Sequence, residues 1–206
     1  MKPVFIFIFG LYFCQVQAAE VSATKPVSGL VLKSPAVAEG AALPVEFTGD
    51  GAGISPPLEW KGAPAQTKSF VVIMHHFPHE GDPARWYWTL YNIPANVSAL
   101  PKGVKGVGVN GTSCVGSDLA YAPPHSKGPG MKKYTITVYA LSAVPKISVP
   151  PKQVNRDTLL AAIKGITLAQ AELNFTYDRT SVMGAEAATE GRASKPKRDS
   201  AKPSSP

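Results

Sequence analysis

Residues 70–74 (FVVIM) form an unbroken apolar run of β-branched and aromatic side chains, the pattern of a strand covered on both faces. Residues 86–91 (WYWTLY) have the same character. Between them, residues 75–85 carry Pro78, Gly81 and Pro83, which neither strand can absorb, so the chain must turn there. Residues 133–141 alternate instead. Tyr134, Ile136 and Val138 fall on one face and Thr135, Thr137 and Tyr139 on the other, which predicts a strand with two unlike faces. Segments 30–32 and 45–47 read as short strands. Helical signals come only late in the chain: Asp157 caps residues 158–164, with Gly165 as terminator. Thr167 and Gln170 make a capping box for a second short helix over 168–173, and 174–177 reads as a final strand. The segments 48–60 (TGDGAGISPPLEW) and 92–114 are punctuated by glycine and proline and without helical period, and long irregular connections of this kind border sites. The expectation is a mainly β domain with two short peripheral helices near its end.

The ends of the chain have different compositions. Lys2, the apolar run 4–13 and small residues at Val16 and Ala18 have the layout of a signal peptide cleaved after Ala18, which implies an exported protein, periplasmic or secreted. The apolar run is too short to remain as an anchor, so no transmembrane segment is expected in the mature chain. The division that follows is 1–18 signal peptide, 19–28 lead-in, 29–178 domain and 179–206 tail. The tail carries Arg179, Arg192, Lys195, Lys197, Arg198 and Lys202 against Glu186, Glu190 and Asp199, with few large apolar residues, and is expected to be disordered. Removal of Cys14 with the signal leaves Cys114 as the single thiol, so no intrachain disulfide can form. The formal net charge is +7 over 206 residues. It does not point to nucleic acid, because the domain has no helix-turn-helix, no finger spacing and no basic stripe interleaved with aromatics. A phosphate-cradling glycine loop and a metalloprotease helix motif are likewise absent from the sequence.

The candidate chemistry lies in the turn after the buried run. His75, His76 and His79 stand there, three of the chain's four histidines, and His125 is the fourth. If the strand continues through them, His75 and His76 point to opposite faces, and only one of the two enters a pocket. With Glu80 and Asp82 nearby, the four histidines make a zinc or copper site one alternative. A hydrolase using His125 with Ser113 or Ser126 is another, although the sequence shows neither a nucleophile elbow nor a paired acid. No cofactor is called for.

FTGDGAGISPPLEWKGAP, the apolar run 69–74, WTLYNIPA followed by LPKG, YAPPHSKGPG and KKYTITVYALS occur in an order that resembles the phosphatidylethanolamine-binding protein family, in its bacterial Raf-kinase-inhibitor-like branch. The similarity extends over about residues 29–178. The resemblance implies a central β-sheet sandwich with a small surface pocket for phosphate-like head groups and no uniting enzymatic reaction. It also implies a partner: a small anion or phospholipid head group, or a secreted or host protein that the domain inhibits. The pocket departs from the family's pattern. His75, His76, Phe77, Pro78 and His79 stand where an Asp-Pro-Asp-Ala-Pro run is usual, Tyr87 replaces a histidine ahead of the matching Trp88, and Lys132-Lys133 replaces His-Arg ahead of the matching Tyr134. The ligand-binding residues implied are His75, His76, Pro78, Tyr87, Trp88, Tyr121, His125, Lys132 and Tyr134. In this set basic and hydroxyl donors replace an acid, and His76 is expected to gain charge near pH 6 to 7.

Overall fold

A computed structural model describes residues 29–126 and 130–179 of the chain. Its strands are β1 (Val31–Lys33), β2 (Leu58–Lys61), β3 (Ser69–His76), β4 (Arg85–Pro94), β5 (Ala99–Leu100), β6 (Val109–Asn110), β7 (Lys132–Leu141) and β8 (Thr167–Tyr177), with one helix, α1 (Arg156–Ile163), between β7 and β8. They form two sheets, a small one ordered β1-β2-β5 and a larger one ordered β6-β4-β3-β7-β8, in which neighbouring strands run antiparallel.

The central strand β3 is buried on both faces, as its continuous apolar run requires. Phe70, Val72 and Met74 join a core that includes Leu58 and Trp60 of the small sheet and Phe47. Val71 and Ile73 face the other way, into a second core with Leu159 and Ile163 of α1. The large sheet is therefore the middle layer, between the small sheet on one side and α1 on the other. The predicted signal peptide 1–18, the lead-in 19–28 and the tail beyond Arg179 lie outside the described residues.

Three local expectations are corrected. Residues 168–173 are not helical; they belong to β8, where Ala169, Leu173, Phe175 and Tyr177 are buried at alternate positions against β7. A period of two set by the sheet prevails over the Thr167–Gln170 capping signal, and Thr167 Oγ1 instead donates to the Ile163 carbonyl at 2.9 Å, closing the end of α1. Helix α1 begins two residues earlier than Asp157 suggested, because Asn155 is the cap that accepts the Thr158 amide, at 2.8 Å. Residues Val45–Phe47 form a 3-10 turn rather than a strand, since Thr48 N–H closes back on the Val45 carbonyl at 2.9 Å.

Candidate functional site

One end of the large sheet collects the chemistry. β3 runs out at His76, β4 begins at Arg85 opposite it, and β7 begins at Lys132 beside the end of β8. Their side chains, with Pro78 and Tyr87, form one side of a cleft of about 860 Å³. Tyr87 reaches it through a bulge. Met74 pairs with Trp88 and His75 with Trp86, so Tyr87 is an extra residue without a partner on β3. Strict alternation would send Tyr87 and Trp88 to opposite faces, yet both pack in the inter-sheet core. The surplus residue re-aims the Tyr87 ring toward the cleft, and its carbonyl is held by the Ala122 amide at 2.8 Å.

The facing wall is the loop from Ser113 to Ser126, together with Gly49. Tyr121 fastens this loop by donating its hydroxyl to the Phe47 carbonyl at 2.7 Å, and the Gly49 amide donates to the Pro124 carbonyl at 2.8 Å. Gly49 is required here, because a Cβ in its place would lie 2.5 Å from the Cβ of His125. Next to it, Asp50 is an anion nearly sealed from solvent, its side chain 8% exposed, that holds three groups at once. His125 Nε2 donates to it at 3.0 Å, Arg179 Nε donates at 3.0 Å, and the Tyr177 hydroxyl donates to its other oxygen. Burial alone would raise the Asp50 pKa. The Tyr177 hydrogen bond, Arg179 and His125 outweigh it and hold the carboxyl below its usual value.

His76 is 7% exposed and its tautomer is fixed by geometry. Nδ1 lies 2.9 Å from the Lys133 carbonyl, which can only accept, so Nδ1 carries the proton and donates. Burial pushes its pKa down, the carbonyl bond opposes this, and the charges of Lys132, Arg85 and His79 push it further down. The expectation of a His76 charge near pH 6 to 7 therefore moves down: the ring takes up its second proton at a lower pH than an ordinary histidine. Beneath it the Tyr134 ring lies 5.0 Å away, stacked in turn on Phe175 at 5.7 Å. Desolvation raises the pKa of Tyr87, Tyr121 and Tyr134, so their hydroxyls keep their protons. Arg85 is exposed at the mouth and has no ion pair among the described residues, while Lys132 Nζ donates to the Gly130 carbonyl at 2.9 Å.

Of the nine residues expected to bind a ligand, His76, Pro78, Tyr87, Tyr121, His125 and Lys132 line the cleft. Tyr134 lies under His76 as floor. Trp88 is buried behind Tyr121, ring centroids 5.7 Å apart, with Nε1 donating to Asn110 Oδ1 at 3.0 Å. His75 is on the opposite face, edge-on to Phe77 at 5.1 Å and under the influence of Arg156. Strand alternation thus separates the two adjacent histidines. Among the described residues no three of His, Cys, Asp and Glu converge as metal ligands. Ser113 Oγ accepts the Gly116 amide at 3.1 Å, and His125 Nε2 is occupied by Asp50. Arg85, Asp50, Asp118 and Arg179 were not anticipated. Arg85 could have been found from its place two residues ahead of Tyr87, but nothing local in the sequence joins Asp50 to Arg179.

Comparison with known proteins identifies the family and the fold. The sequence profile of the phosphatidylethanolamine-binding protein family matches residues 33–178. A UPF0098 protein of Chlamydia pneumoniae is 33% identical over 155 residues, 72% of this chain and 99% of the relative. One from Methanothermobacter thermautotrophicus is 30% identical over 154 residues, 72% of this chain and 98% of the relative. Among solved structures, a phosphatidylethanolamine-binding protein homolog from Chlamydia trachomatis superposes with a TM-score of 0.65 at 30% identity, covering 73% of this chain and 97% of its own. Escherichia coli YbcL, described as a member of the mammalian PEBP family, gives 0.63 at 26% identity over 72% of this chain and 98% of its own.

Proposed function

The chain belongs to the phosphatidylethanolamine-binding protein family, and from that premise we propose that it is an exported binding protein whose cleft holds a small anion, phosphate or a phosphate-bearing head group. The observation that carries the reading is the meeting of Arg85 and Lys132 in one cleft with the hydroxyls of Tyr87 and Ser113. A guanidinium and an ammonium offer only donors, and the protonated tyrosine adds another. Among the described residues that line the cleft Asp118 is the one carboxylate, so cations outnumber it there. Hydrogen bonds between charged partners are about twice as strong as neutral ones, which suits this lining to oxyanions. Export is supported by the layout of residues 1–18.

One preparation tests both halves. Protein recovered from outside the cytoplasm should have the mass of a chain beginning at Ala19, and calorimetry on it should show heat with inorganic phosphate. The Arg85→Ala, Lys132→Ala double variant should bind at least about tenfold more weakly, each lost charged hydrogen bond contributing roughly 1.5–3 kcal/mol. A chain found only in the cytoplasm contradicts export, and an exported chain that retains residues 1–18 contradicts the cleavage after Ala18. Absence of heat, or affinity indifferent to the double substitution, contradicts the anion site.

A further inference from the structure

Arg85 and Lys132 can only donate hydrogen bonds, but one group in the same cleft can only accept. His76 gives its single ring proton, on Nδ1, to the Lys133 carbonyl at 2.9 Å. That leaves Nε2 with a lone pair and no proton. Among the described residues this nitrogen has no protein partner, it is not sealed off by them, and it belongs to a residue lining the cleft. The ring cannot turn to offer a donor without breaking the carbonyl bond and its contact with Tyr134, whose ring centroid is 5.0 Å away. Around it stand Lys132, Arg85 and His79, all of which disfavour a second proton on the ring. Tyr87 and Tyr134, 5.1 Å apart, complete its surroundings with hydroxyls that stay protonated. Asp118 adds a second acceptor to the lining.

Resting on the anion-binding reading above, we propose that this cleft selects a tetrahedral oxyanion that itself carries an O–H group, hydrogen phosphate or a singly ionised phosphate monoester, over an oxyanion that carries none. The cations bind any such ion through its bare oxygens. The oxygen that faces His76 meets a lone pair. A P–O–H group donates to it, whereas a bare sulfate oxygen sets lone pair against lone pair and leaves a poorly hydrated acceptor unpaired. Hydrogen phosphate and sulfate have the same shape and, well above phosphate's second pKa (about 6 for a phosphate ester), the same charge. The proton is then the difference the site reads.

Calorimetry at about pH 8 with inorganic phosphate, glycerol phosphate and sulfate tests the proposal. Inorganic phosphate is expected to bind roughly ten- to a hundredfold more tightly than sulfate, the size of one buried hydrogen bond made against one acceptor left unpaired. Equal affinities for phosphate and sulfate overturn this selectivity while leaving the anion site standing. No heat with any of the three ions removes the anion site itself. At this pH inorganic phosphate is expected to bind more tightly than glycerol phosphate, whose phosphate has lost its proton, and the reverse order contradicts the proposal. At pH 8 a fully ionised monoester carries no proton, so glycerol phosphate should regain affinity as the pH is lowered through its second pKa, and a flat profile for the ester contradicts the proposal. His76→Phe keeps a ring over Tyr134 but removes the acceptor, and should bring the phosphate-to-sulfate ratio close to one mainly by weakening phosphate. Should that variant not fold, the nitrogen NMR signal of His76 Nε2 in the natural chain serves instead. It should shift with phosphate and not with sulfate, and a signal indifferent to phosphate overturns the proposal.

Discussion

His75 and His76 show how far one position along a strand changes a side chain's chemistry. Alternation on β3 was legible from the sequence, and the structure turns His76 into the cleft and His75 against Phe77 and Arg156. Burial first, then Arg156 and His76, lower the His75 pKa to about 4, and its Nδ1 is buried without a partner. In the unfolded chain the ring takes up a proton near pH 6.5. Between those two values the unfolded state binds more protons than the folded one, so stability is fully present above about pH 6.5 and is lost as pH falls toward 4. The loss from this ring is at most about 3 kcal/mol. Thermal melts of the natural chain from about pH 7 to 4.5 should fall, and His75→Leu should fall less steeply. Parallel slopes for the two would show that His75 does not set the acid sensitivity. What the sequence concealed at this scale was Tyr87. Its inward aim depends on a bulge, and no residue in WYWTLY marks where the pairing slips.

At the scale of elements, the strands with continuous or alternating apolar patterns were readable, because burial on one or both faces of a sheet leaves that signature in the chain. The short capped segments were not. A capping box can be written by any Thr and Gln three apart, and for residues 168–173 the long pairing with β7 decided the outcome. Of the two loops that complete the cleft, residues 48–53 fell in a segment read as irregular while most of 113–126 did not, and their mutual contact was hidden because the two are distant in the chain. Gly49 is where that contact is closest, beside the His125 Cβ. Gly49→Ala forces the two loops apart, with an overpacking penalty of about 1–3 kcal/mol. A melt several degrees lower and weaker phosphate binding are expected. An unchanged melt with unchanged binding would mean that the loops do not depend on this contact to form the wall.

For the whole molecule, the order of β3, β4, β7 and β8 brings four chain segments to the same end of the large sheet. The ends of these strands carry His76, Arg85, Lys132 and, just beyond β8, Arg179. Arg179 had been grouped with the basic tail by composition; the structure ties it to Asp50 at 3.0 Å, so the chain passes the cleft wall before it leaves the described residues. The resemblance over residues 29–178 made the architecture readable in advance, and the profile match over 33–178 bears it out. The ligand was not readable in the same way. Of the residues that depart from the family's pattern, His76, Pro78, Tyr87 and Lys132 line the cleft.

The most direct measurement is a crystal structure of the protein soaked in phosphate. The account predicts one phosphate in the cleft, bridging the Arg85 guanidinium and the Lys132 ammonium, with one oxygen within hydrogen-bond distance of His76 Nε2. Phosphate bound elsewhere on the surface, or a cleft with both cations turned outward and no anion between them, would contradict it.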